Sequence, residues 1–132
     1  MKLQDAYAAE SNQLGTWQLI GYTAPGTKAS SDSYSTTTFT YTGAISSAEA
    51  LTEAGVEKDN AWKAEALVAL NDCKKNSTWV LKVTGKTNGV TYVNTITNNG
   101  GGTTADCEAL TPNFTNIGTK AAAANANGGK TP

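Results

Sequence analysis

The chain has 132 residues, enough for one domain with a single core, and its 10 Lys and Arg against 11 Asp and Glu leave a formal net charge of -1. That balance excludes a polyanion-binding surface, so nucleic acid is not expected as a partner. Histidine is absent, which excludes Ser-His-Asp and Cys-His sites and removes the commonest general base and metal ligand.

Residues 2–14 read as a helix. Leu3, Ala6, Tyr7 and Leu14 recur at steps of three, four and seven, with Glu10 interrupting the stripe. Gly15 stands where a left-handed C-terminal cap belongs. A helix start usually carries Ser, Thr, Asp or Asn, yet here the pattern begins directly behind Met1. So short a helix must lean on other structure. The expectation is the end of a longer, severed helix; the alternative is an ordinary N-terminal helix. No signal peptide or apolar span appears, and a targeting segment is expected to have been removed.

Thr16 to Tyr22 reads as an extended, buried connector, and Pro25-Gly26 as a turn. Residues 27–35 read as a polar loop. Thr36 to Thr42 alternates Thr with Phe39 and Tyr41, a strand whose aromatic face should meet the helix. Ser46 and Glu49 have capping-box spacing and Gly55 can stop a helix, so a short surface helix is expected there. Val56 to Asn60 reads as loop.

Three strands follow. Residues 61–70 place Trp62, Ala64, Ala66, Val68 and Leu70 on one face; residues 77–84 place Trp79, Leu81 and Val83 together; residues 90–97 place Val90, Tyr92 and Ile96 together. The joints between them have hairpin chemistry. The expected fold is α+β, an N-terminal helix on a four-stranded antiparallel meander, with Leu3, Tyr7, Leu14, Phe39, Trp62, Val68, Trp79, Leu81, Val83 and Ile96 as the core between them. Residues 1–120 form the head. Residues 121–132, rich in Ala, Asn and Gly, form a tail with no core to join. Leu110 to Ile117 reads as an extended or edge segment.

The two cysteines, Cys73 and Cys107, read as one disulfide of an oxidising compartment, because Cys73 lies in a polar turn and Cys107 follows a Gly-rich loop. Two buried free thiols are the alternative.

Chemistry is otherwise sparse. Asp72 and Asp106 each precede a cysteine but read as turn residues, not as a carboxylate pair. Gly100–Gly102 lacks the Lys-Ser/Thr of a phosphate loop. Asn98, Asn99, Asp106 and Glu108 have calcium-ligand chemistry without a recognisable spacing. Trp17, Trp62 and Trp79 are read as core before sugar platform. Asn76-Ser77-Thr78 and Asn113-Phe114-Thr115 match the N-glycosylation pattern.

A helix ending Ala6-Tyr7-Ala8-Ala9-Glu10, a Gly-containing connector, an antiparallel meander and a crosslink before a C-terminal loop together resemble the soluble head of a bacterial type IV pilin or pseudopilin. The resemblance implies a non-catalytic filament subunit without cofactor. Its partners would be copies of itself or other pilins, and the inner membrane through a preceding apolar helix before assembly. Its place would be a cell-surface pilus, or a periplasmic pseudopilus, with Cys73–Cys107 bounding the C-terminal loop. The alternative is an extracellular carbohydrate-binding or adhesin module that meets a host or polysaccharide surface through exposed aromatics.

Overall fold

Alternating apolar residues build most of the fold, seen in a computed structural model that describes residues 1–99 and 102–116. In chain order the elements are α1 (Lys2–Ser11), β1 (Gln13–Leu14), α2 (Trp17–Ile20), β2 (Thr27–Ser30), β3 (Ser33–Ser35), β4 (Phe39–Thr42), β5 (Glu49–Ala50), β6 (Val56–Ala66), β7 (Thr78–Lys86), β8 (Gly89–Thr97), α3 (Thr104–Glu108) and a one-turn 3₁₀ helix (Phe114–Asn116). Strands β2-β3-β4-β6-β7-β8 lie side by side in that order, every pair antiparallel. β5 leaves this meander and pairs with β1 instead.

The register puts one apolar face together. Tyr34 is opposite Tyr41, Tyr41 opposite Ala64, Ala64 opposite Trp79, and Trp79 opposite Ile96. Further along, Trp62 is opposite Leu81 and Val83 opposite Tyr92. Side chains alternate across a strand, so these share the inner face. The other face carries Thr and Lys, with Lys82 paired to Glu57 at 3.2 Å. Three apolar clusters fill the inner side. One joins α1 to the sheet through Ala8, Leu14, Ile45, Leu51, Val83 and Tyr92. One surrounds the disulfide with Ala64, Ala66, Trp79 and Ile96. A smaller one holds Trp17, Ala24 and Tyr34 near the β3 side.

The sheet has six strands, not the four expected, because residues 27–35 form the β2-β3 hairpin and not a loop. Val56 to Asn60, expected as loop, is the first half of β6, since β7 is long enough to pair with it. No helix forms over 46–55. Ile45 and Leu51 are both buried, and the stretch between them is extended so that Leu51 can donate its N–H to the Asn12 carbonyl at 3.0 Å. Tertiary pairing here overrides local propensity. Conversely, Thr16–Tyr22 holds the short helix α2 and is not extended. Thr16 Oγ1 accepts from the Leu19 N–H at 3.1 Å, and Gly21 closes the turn at φ 79°.

α1 is shorter than expected. It ends at Ser11, and Asn12, not Gly15, takes the left-handed cap at φ 58°. Leu14 is therefore in β1, where it is fully buried. The helix face turned inward is Gln4 and Ala8; Leu3 is 43% exposed and Tyr7 only partly buried. The buried pair is spaced i, i+4, one position round from the apolar stripe. Val68, also expected in the core, is 45% exposed. β6 stops at Ala66, where the Leu67 N–H turns to the Thr38 carbonyl, so residues 67–70 leave the sheet. Phe39 and Tyr41 do share the inner face, but they pack on Trp79 and Trp62, away from α1. Leu110 to Asn116 is helical turn in place of an extended edge. Ile117 and the 121–132 tail lie outside the described residues.

Gln4 holds α1 in place. Its Nε2 donates to the Gly15 carbonyl at 3.1 Å and its Oε1 accepts the Gly15 N–H at 2.7 Å, both buried. Gln4→Ala leaves two buried backbone groups unpaired and should cost about 2–4 kcal/mol. Leu3→Ala, one residue earlier, should cost less than about 0.5 kcal/mol. Urea unfolding of the two variants checks this, and equal losses would sink the assignment.

Candidate functional site

An apolar groove of about 500 Å³ lies between the helices and the inner face of the sheet. One wall is the first turn of α1, with Leu3 and Lys2 exposed at its rim. The opposite wall is α2 and its exit, through Trp17, Ile20 and Tyr22. The floor comes from Leu81, Val83 and Tyr92, and Phe114 closes one end.

A bulge shapes this floor. Between Lys58 and Trp62 the register on β6 slips against β7, and Asn60 takes φ 55°. The slip turns two consecutive residues, Ala61 and Trp62, toward the groove, which regular alternation forbids. The Ala61 carbonyl accepts the Trp17 indole N–H at 3.0 Å, fixing that ring under α2. The same ring lies on Gly43, where any Cβ would come within 2.4 Å of Nε1, so the strand exit must be glycine.

The polar atoms of the lining are mostly spent inside the protein. The Trp62 N–H donates to the Tyr22 hydroxyl oxygen at 2.9 Å. Both amide atoms of Gln4 are on Gly15. The Tyr92 hydroxyl donates to Asp5 at 2.5 Å and lies 3.1 Å from the Met1 carbonyl. Burial, then the Asp5 carboxylate, push the Tyr92 phenol well above its ordinary range. Among the described residues, Lys2 is the single charged side chain of the lining.

A second assembly pins the C-terminal segment to the other end of the sheet. Cys73 and Cys107, both fully buried, form a disulfide across a separation of 34 residues. Asn98 works beside it: its Oδ1 accepts from the Lys74 N–H and the Ser77 hydroxyl, and its Nδ2 donates to the Asp72 and Thr103 carbonyls. The Asn99 Nδ2 is on the Asn76 carbonyl at 2.8 Å, and Asp106 accepts from the N–H that opens α3. These amides are therefore structural, and among the described residues no group of three or more His, Cys, Asp or Glu converges to hold a metal. Trp79 reaches the same segment through Thr111 Oγ1 at 2.7 Å. Asn94 does so through the Phe114 carbonyl at 2.8 Å, while its buried Oδ1 has no partner among the described residues.

Of the residues expected between helix and sheet, the structure brings Leu3, Trp62, Leu81 and Val83 to the groove. Leu14 and Val83 pack in the α1 cluster, and Phe39, Trp79 and Ile96 around the disulfide. Val68 joins neither. Sequence pattern does not mark Gln4 or Tyr92 as site-forming, and it marks Asn98 only for calcium-ligand chemistry, not for the backbone bonds it makes. Their single signal in the sequence is a polar group in or next to an apolar pattern, which does not reveal its partner. Asn76 and Asn113 are both exposed.

Two outcomes follow for stability. The folded chain keeps the Tyr92 proton that the unfolded chain gives up near pH 10. Stability should thus be constant below about pH 9 and fall as pH rises through 10 and beyond. Tyr92→Phe should flatten that alkaline slope in urea unfolding measured from pH 8 to 11; an unchanged slope contradicts the role of Tyr92. Replacing Cys73 and Cys107 together by Ser should lower stability by about 3–4 kcal/mol in the loop-entropy account, measured the same way at neutral pH.

The disulfide suits an oxidising compartment, extracellular or periplasmic. No described helix is long and apolar enough to cross a membrane. No protein-family model matches the chain, and neither does any curated protein or solved structure.

Proposed function

We propose that this chain is the head of a cell-surface filament subunit of the type IV pilin or pseudopilin kind, structural and not catalytic. The observation that carries the reading is the seating of α1. Its inner face is clamped by Gln4 on Gly15 and by Asp5 on Tyr92, while Met1 and Leu3 stay exposed. The first turn has no side-chain cap. A preceding helical turn adds to such an end without displacing a cap, so α1 can serve as the head's attachment to a longer helix. The disulfide-pinned C-terminal segment supports an outward-facing, protease-exposed setting.

The carbohydrate-binding alternative has a weaker basis. Sugars are recognised by aromatic faces together with free hydrogen-bonding groups. In the groove the indole N–H groups of Trp17 and Trp62 are both engaged within the protein.

As a 13.6 kDa chain it should run as a monomer in light scattering. Fusing an apolar helix of about 20 residues ahead of Met1 should produce filaments under the electron microscope. The same helix fused behind Pro132 should not. Filaments from the unfused chain, or from both fusions alike, would remove the basis for this reading.

A further inference from the structure

The groove beside α1 has a composition that selects its ligand. We infer that it binds a single-chain fatty acid, with the hydrocarbon along the apolar floor and the carboxylate at Lys2. This goes beyond the filament reading and does not depend on it.

Three observations carry the inference. First, the volume of about 500 Å³ lies within the range of small-molecule clefts, and the lining includes Leu3, Ile20, Tyr22, Trp62, Leu81 and Phe114. Second, the hydrogen-bonding atoms of the walls are largely consumed by Gly15, Ala61 and Asp5. A polar ligand would lose its hydration there without replacement, whereas a hydrocarbon loses nothing. Third, the charge is one-sided. Lys2 is the lining's sole charged side chain, exposed at the rim and without an ion-pair or hydrogen-bond partner among the described residues. Tyr22 stands on the opposite wall with a hydroxyl proton left to donate, since its oxygen only accepts from Trp62. An apolar trough with positive charge at its rim complements a molecule that is apolar along its length and anionic at one end.

The bulge gives the site its shape and weighs against an accident of packing. Without the slip at Lys58–Trp62, Ala61 would face the polar side of the sheet and leave the Trp17 indole without its carbonyl.

Tryptophan emission of the full chain is the readout, because Trp17 and Trp62 line the groove. Sub-micellar dodecanoate should bind saturably, about tenfold more tightly than decanoate, as expected for two more buried methylenes. Lys2→Glu should weaken dodecanoate about threefold or more while leaving dodecanol unchanged. Leu3→Glu should weaken both probes. Leu19→Glu, on an exposed residue of α2 outside the groove, should weaken neither. Circular dichroism confirms that each variant is folded; all three sites are exposed and should tolerate the change. Non-saturable dodecanoate binding overturns the inference, as does an affinity indifferent to chain length or to Lys2→Glu. So does displacement of dodecanoate by a neutral oligosaccharide, or occlusion of the groove by dimerisation in light scattering.

Discussion

Both amide atoms of Gln4 are spent on the backbone of Gly15, and the placement of the N-terminal third depends on that exchange. It ties the first turn of α1 to the chain that follows it. Leu14 is thereby delivered to the centre of the core, where it packs with Leu51 on Gly85; a Cβ at Gly85 would come within 2.5 Å of Leu51. It also starts α2 directly above the bulge of β6. A buried polar side chain with every atom paired can fix an arrangement more narrowly than apolar contact, because the unpaired alternatives are costly.

The sheet supplies two different surfaces from one inner face. Toward the disulfide end, Phe39, Trp79 and Ile96 pack closely around the crosslink, and the C-terminal segment covers them through Thr111 and Phe114. Toward α1 the cover is incomplete, because the helix is only ten residues long and turns Gln4 and Ala8 inward. The groove is the space left by this mismatch, widened by a bulge that points two neighbouring residues the same way. Its apolar character follows from position: it is uncovered core lining, with polar atoms already paired.

Functionally the chain separates rigid parts from an available one. The disulfide, the Asn98 bonds and the Tyr92–Asp5 contact all fix backbone to backbone or helix to sheet. None brings a nucleophile, a base and an activating group together, and histidine is missing altogether. These fixed contacts are compatible with the proposed filament head and with the proposed hydrocarbon site along its helix.

Local pattern in the sequence was enough for strands β4, β7 and β8 and the second half of β6, for the presence of an N-terminal helix, and for the cysteine pair. A period of two, as in Trp79, Leu81 and Val83, survives in any context that buries one face. Tertiary structure decided the rest. Residues 27–35 and 56–60 are polar enough to read as loop, and became strand because β4 offered hydrogen bonds to β3 and the long β7 offered them to the start of β6. Ser46 to Gly55 had helix-start chemistry but was drawn straight by burying Ile45 and Leu51. Which helix face turns inward was settled by Gln4 finding Gly15, an exchange across eleven residues that periodicity does not register. The groove, likewise, exists only where a bulge, a short helix and a distant Phe114 meet, and no linear spacing encodes such a meeting.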